Sequence, residues 1–276
     1  MNPNAAHPTS AIAMIRSIWI HRKLTIQLIK REISARYRGS FLGLAWSFLN
    51  PLLMLSIYTF VFSIIFKVRW NIEDSDNTTH FAIVLFVGLI IHTLFTEVIS
   101  RAPSLISSNV NYVKKVIFPL EILPIVTLGM ALFHSIISFG VLLCGFLFLS
   151  GYFHLTAILL PIIIFPLLLI TLGIAWFLTS LGVYLRDIGQ FIGLVSSVML
   201  FMSPIFYPIS ALPEKFHLAI MLNPLTFIIE QSREILLLGH LPNWTGLAIY
   251  TLTSVLVAWF GYFWFQKTRR GFSDVL

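Results

Sequence analysis

Six stretches of the chain are mainly apolar: 41–66, 81–100, 121–149, 156–184, 188–206 and 244–266. A helix needs about 20 such residues to cross the hydrocarbon of a bilayer, so each stretch is predicted to span a membrane. Pro124 interrupts the third, and Pro161 and Pro166 the fourth; a spanning helix tolerates proline as a kink. Three segments between the runs follow other patterns. Residues 12–33 are too charged to span, yet Ile12, Ile15, Trp19, Ile26, Ile29 and Ile33 gather on one side of a helical wheel, with Arg16, Lys23 and Lys30 towards its edge. This predicts an amphipathic helix lying in the membrane interface, imperfect or broken near His21, where Arg22 intrudes on the stripe. Residues 207–243 hold two apolar pieces, 216–222 and 225–238, split by Asn223-Pro224. Ser210 with Pro213, and Asn223 with Pro224, have the form of a capping side chain followed by a proline, and Gly239 is a stop signal. Two short helices dipping into the outer leaflet as a re-entrant hairpin are predicted, which puts Glu230, Gln231, Arg233 and Glu234 on an interior or aqueous surface. Residues 101–120 have a helix-like centre, capped by Ser107, Ser108 or Asn109 and ended by Phe118-Pro119. Glu97 and Arg101, four apart, are predicted to pair.

Composition removes a soluble reading. Hydrophobic residues make up 58% of the chain and charged residues 11%, against about 25% charged in soluble domains. Too little polar surface remains to cover such a chain in water, and the fold class is an all-α integral membrane protein with six spans. The 18 Lys and Arg residues then set its orientation. Fourteen fall before the first run, in 101–120, at Arg186 and in the tail; Lys67, Arg69, Lys215 and Arg233 fall on the other side. The positive-inside rule makes the richer side cytoplasmic, with both termini there. The start of the chain lacks the pattern of a cleaved signal and reads as retained. Cys144, the only cysteine, sits in an apolar run and reads as a small buried hydrophobe.

Catalytic chemistry is sparse. The sequence has no G-x-x-x-x-G-K-[ST] phosphate loop and no H-E-x-x-H. It has no cysteine–histidine cluster with metal spacing, so no catalytic residue, metal or bound cofactor is expected. His80, His92, His134 and His154 stand singly and read as packed or interfacial residues rather than ligands. Only Glu97 and Glu121, at run edges, approach an intramembrane carboxylate, which disfavours an ion-coupled carrier. The first run carries a ladder instead: Trp46, Asn50, Met54, Tyr58, Phe62 and Phe66 recur every four residues and drift slowly around a helix. Aromatic faces can stack on sugar rings while Asn and Tyr hydrogen-bond. Phe201, Phe206 and Tyr207 close the fifth run similarly. Ordinary helix packing or lipid contact is the open alternative for each.

The stretch Arg31-Glu32-Ile33-Ser34-Ala35-Arg36-Tyr37-Arg38-Gly39-Ser40-Phe41-Leu42-Gly43, followed by Trp46 and Asn50-Pro51, resembles the start of type-2 ABC transporter permeases. More narrowly, it is similar to the subfamily that exports lipid-linked O-antigen, teichoic acid or capsule. Phe118-Pro119-Leu120-Glu121 resembles the end of that family's coupling helix, and Tyr184-Leu185-Arg186-Asp187-Ile188 its fourth loop. Ser203-Pro204-Ile205-Phe206-Tyr207 and Leu222-Asn223-Pro224-Leu225 resemble the lead-in to its outer gate helices. The tail Arg270-Gly271-Phe272-Ser273-Asp274-Val275-Leu276 resembles its usual ending, with Ser273 where Ala is commoner. The resemblance covers nearly the whole chain from about residue 25.

The resemblance implies a cytoplasmic segment at 1–40, a transmembrane domain at 41–266 and a cytoplasmic tail at 267–276, in the bacterial inner membrane. It implies a homodimer with two copies of a separate ATPase, which carries the ATP and Mg, and a lipid-linked polysaccharide substrate, with no nucleic-acid partner. Trp46, Asn50, Tyr58, Phe62, Phe201, Phe206 and Tyr207 would line the channel. Asn109, Tyr112, Lys114, Lys115 and Phe118 would couple to the ATPase, and Arg31, Arg36, Tyr37 and Arg38 would form an interface motif. Glu230, Arg233 and Glu234 would belong to the periplasmic gate. Alternatives are a type-2 exporter of a drug or small lipid and, from another class, a membrane enzyme acting on lipid-linked sugars.

Overall fold

A computed structural model describes residues 9–61, 78–114, 118–185 and 187–275. Among these residues every regular element is helical, as a bilayer demands of a chain that must satisfy its own backbone groups. In chain order the α-helices are α1 (Ala11–Ile20), α2 (Arg22–Tyr37), α3 (Trp46–Tyr58), α4 (Thr78–Arg101), α5 (Val110–Lys114), α6 (Ile122–Ser150), α7 (Leu160–Tyr184), α8 (Ile188–Met202), α9 (Glu214–Met221), α10 (Pro224–Arg233), α11 (Trp244–Thr268) and α12 (Phe272–Val275). Among the described residues, five runs are long and apolar enough to cross a membrane: Gly43–Val61, which contains α3, then Phe81–Ser104, Ile122–Ser150, Leu155–Tyr184 and Trp244–Gly271.

α4 is the axis of the bundle: 78% of its apolar stretch is buried, against 6% for Gly43–Val61. α3 therefore lies at the periphery with Phe48, Leu52, Leu53, Ile57 and Phe60 exposed. The tightest helix pair is α7 with α11. A Cβ on Gly261 would sit 2.0 Å from the Gly173 carbonyl oxygen, and one on Gly173 would sit 2.5 Å from that of Val257. Side chains share this contact: Trp176 meets Tyr262 edge-on with ring centroids 5.3 Å apart, and the Ser180 and Thr268 hydroxyls are 2.6 Å apart.

The N-terminal pair breaks at His21, as the intruding Arg22 predicts. Ile12, Ile15, Trp19 and Ile26 face outward, while Met14, Thr25 and Leu28 are buried against the bundle. α2 continues to Tyr37, four residues beyond the predicted end. It lies on α6, where a Cβ on Gly129 would be 2.3 Å from Ile29 Cδ1.

Several boundaries differ from the apolar runs. Pro124 and Pro161 lie in the first turns of α6 and α7, where a missing N–H costs nothing, so they interrupt neither helix; Pro51 and Pro166 are the prolines inside helices. α8 has 15 residues and not the predicted 19, because Ser203 turns extended before Pro204. Within 207–243, Ser210 falls in a 3-10 turn and caps nothing, and α9 starts after Pro213 without a side-chain cap. Asn223 does cap α10: its Oδ1 accepts from the Leu225 N–H at 2.9 Å. Gly239 stops the following turn at φ 70°, and a Cβ there would be 2.3 Å from His154 Nδ1.

Candidate functional site

One cavity gathers residues that stand far apart in the sequence. It measures about 200 Å³, and its walls include Arg36 and Tyr37 from α2, Trp46, Asn50, Met54 and Tyr58 from α3, Glu97 from α4 and His134 from α6. The four-residue rhythm of α3 turns its ladder residues to this side, with Pro51 filling the gap between them. Phe62, the next rung, lies outside the described residues. Two residues of the interface motif, Arg36 and Tyr37, thus share one site with four rungs of the ladder.

Its floor is charged. The Glu97 carboxylate takes a hydrogen bond from Arg36 Nη1 and an ion pair from Arg101 Nη2 at 3.3 Å, and lies 3.1 Å from His134 Nδ1. Tyr37 Oη lies 3.1 Å from His134 Nε2. The predicted Glu97–Arg101 pair is present, but it is one limb of a cluster drawn from three helices. Two guanidiniums against one carboxylate leave the floor cationic. His134 belongs to this site and is not a lone packed residue. The remaining motif arginines point elsewhere: Arg31 donates to the Tyr112 hydroxyl at 3.2 Å and pairs with Glu32, while Arg38 ends α2 exposed. The Tyr112 bond, and then Glu32, push the Arg31 pKa up.

Phe201, Phe206 and Tyr207 do not line this cavity. They form their own cluster at the end of α8, where Phe201 and Phe206 stack at 6.0 Å and Tyr207 Oη donates to the Phe201 carbonyl at 2.7 Å. Nearby, Arg233 is only 5% exposed. It donates to the carbonyls of Val84, Pro204 and Ile205 at 3.2, 2.6 and 3.1 Å and to Glu230 at 3.0 Å. It faces the protein interior and ties α10 to α4 and to the break after α8. Glu234 is held at the surface by His240, 2.7 Å away.

The described parts of segment 101–120 are anchored inward. Asn109 Nδ2 bonds the Leu105 carbonyl, and Tyr112 stacks on buried Phe118 with centroids 4.3 Å apart. Phe118 is therefore a packing residue of the segment, not part of its exposed face. Lys114 ends α5, and Lys115 lies outside the described residues. Glu121, at the edge of an apolar run, has its carboxylate paired with Arg269 at 2.7 Å and accepting from Ser17 at 2.8 Å.

Comparison with known proteins gives the chain a family and relatives. A model of the ABC-2 type transporter family matches residues 23–237. An O-antigen export system permease protein RfbA of Myxococcus xanthus is 27% identical over 265 residues, covering 95% of this chain and 99% of the relative. A protein of the same name from Klebsiella pneumoniae is 28% identical over 255 residues, covering 92% and 95%. The polysialic acid transport protein KpsM of Escherichia coli is 26% identical over 255 residues, covering 88% and 94%.

Proposed function

The chain is a member of the ABC-2 type transporter family, and from that membership we propose that it is the permease subunit of an ATP-driven exporter of lipid-linked polysaccharide, O-antigen first among them, in the bacterial inner membrane. The observation that carries the substrate class is the composition of the cavity. An aromatic and amide wall, Trp46, Asn50 and Tyr58, stands over the cationic Glu97 cluster. Ring faces and hydroxyls of a sugar match such a wall. At about 200 Å³ the cavity is smaller than the usual enclosed ligand site of about 300–1,000 Å³. It suits shallow contact with a passing unit, and a sliding polymer needs such contact repeated rather than one deep trap.

The finer architecture belongs to the same proposal. α8 is the sixth crossing, completed by the hairpin of α9 and α10 entering the outer leaflet, with both termini cytoplasmic. Two copies pair with two ATPase subunits, which carry the ATP and Mg, and the exposed faces of α3 and α8 border the channel between the copies. Segment 101–120 receives the ATPase. Reversing charge with Lys114→Glu and Lys115→Glu juxtaposes like charges at that surface, which costs up to several kcal/mol. ATPase co-purification is expected to fall while membrane insertion is kept, and undiminished co-purification and export in the double variant would count against the docking assignment.

The substrate reading is tested by replacing Trp46 and Tyr58, both in the cavity wall, with Leu, singly and together. Leu keeps bulk and apolarity but loses the flat face. Surface polysaccharide, normalised to membrane level of the protein, is expected to drop in the combined variant. Full export at normal expression would refute the stacking role.

A further inference from the structure

Glu121 stands just before α6 with its side chain only 10% exposed. A buried carboxylate costs several kcal/mol unless it is paired and hydrogen-bonded, and this one uses its two oxygens on two distant parts of the chain. Oε1 accepts from Ser17 Oγ in α1 at 2.8 Å, and Oε2 accepts from Arg269 Nη1, just past α11, at 2.7 Å. Arg269 reaches further, donating through Nη2 to the Phe118 carbonyl at 2.8 Å. The Glu121 carbonyl accepts from Trp176 Nε1 of α7 at 2.9 Å. Phe118 in turn stacks on Tyr112, whose hydroxyl accepts from Arg31 of α2. Four segments of the chain therefore meet within one residue's bonds.

Stability alone does not call for this arrangement. Well-packed apolar side chains do as well as a buried ion pair in many cores. What the pair adds is a fixed geometry: the carboxylate cannot keep both partners unless α1, the end of segment 101–120 and the start of the tail hold one relative position. We infer that Glu121 is a positioning residue that makes α1 and the tail follow any displacement of segment 101–120. The inference rests on the proposed function for the source of that displacement.

The test uses the complete complex with its ATPase in proteoliposomes, measuring ATP hydrolysis and polysaccharide movement together. In Glu121→Gln and in Arg269→Gln, polysaccharide moved per ATP is expected to fall about fivefold, a mid-range loss of intramolecular coupling. The double variant should fall no further, because both singles break one joint. Ser17→Ala should fall as well, and Ser17→Thr, which keeps the hydroxyl, should recover. A second readout needs no ATPase: in the purified chain, Arg269→Gln should raise hydrogen exchange of the α1 amides, although among the described residues the side-chain bonds of Arg269 run to Glu121 and Phe118 and not to α1. Wild-type transport per ATP in Glu121→Gln with the ATPase bound overturns the inference. So does a proportional loss of both activities with α1 exchange unchanged, which marks a merely structural pair. Failure of the docking assignment registers separately, as ATPase retained by the Lys114 and Lys115 reversal.

Discussion

At the scale of single residues, Arg233 makes the sharpest demand. Pro204 breaks the backbone after α8, and the carbonyls of Pro204 and Ile205 lose helical partners; a planar guanidinium answers both and Val84 as well. Arg233→Ala strands these acceptors in the interior, and a buried unsatisfied polar group costs about 1–3 kcal/mol. The expected loss is about 3 kcal/mol or more, read as a lower melting temperature in detergent and lower membrane abundance. Arg233→Lys, a single ammonium without the fork, should recover only part. An unchanged melting temperature for Arg233→Ala would remove the residue from the latch. The same scale explains why the charged floor of the cavity was only half legible. Glu97 and Arg101 announce themselves because i and i+4 share a helix face. Arg36 and His134 reach Glu97 across helix contacts, and no local spacing encodes which helices touch.

At the scale of elements, the contact of α7 with α11 fixes how closely two spans approach. Gly261→Ala places a methyl 2.0 Å from backbone oxygen, which no rotamer change can relieve. The two helices must separate, and overpacking of this kind costs about 1–3 kcal/mol. Gly140, also helical, is exposed with open space at its Cβ position. Gly140→Ala should be neutral or stabilising by up to about 1 kcal/mol, from helix propensity alone. Thermal stability of the two purified variants checks the contrast, and equal behaviour would dismiss the glycine contact as a determinant. Most elements were readable beforehand, because apolar length and capping residues act locally: the break at His21, the Asn223 cap and the Gly239 stop all lie where their residues direct. The exceptions have physical causes. Of the prolines read as interruptions, Pro124 and Pro161 sit in first turns while Pro166 lies inside α7, and the fifth apolar run counts residues after Ser203 that continue apolar but leave the helix.

At the scale of the whole molecule, the bundle is uneven in depth. α4 is wrapped by protein, α3 is bare on its outer side, and α8 stops after 15 residues. At about 1.5 Å per residue, α8 extends for about 22 Å. The hydrocarbon of a typical membrane is about 30 Å thick. On the proposed reading, in which α8 is a crossing, any lipid on the flank of α8 away from the channel meets a hydrophobic mismatch, and the bilayer thins to match the short helix. That reading predicts a dimple in the bilayer along one flank and a working state that prefers thin membranes. Reconstitution in a series of phosphatidylcholines of increasing acyl length should give export per ATP that declines as the chains lengthen. A flat response across the series would mean that neighbouring protein, not lipid, covers α8. The ease with which a large polar chain leaves the membrane is, on that reading, partly a property of the thinned lipid that a short sixth crossing gathers around itself.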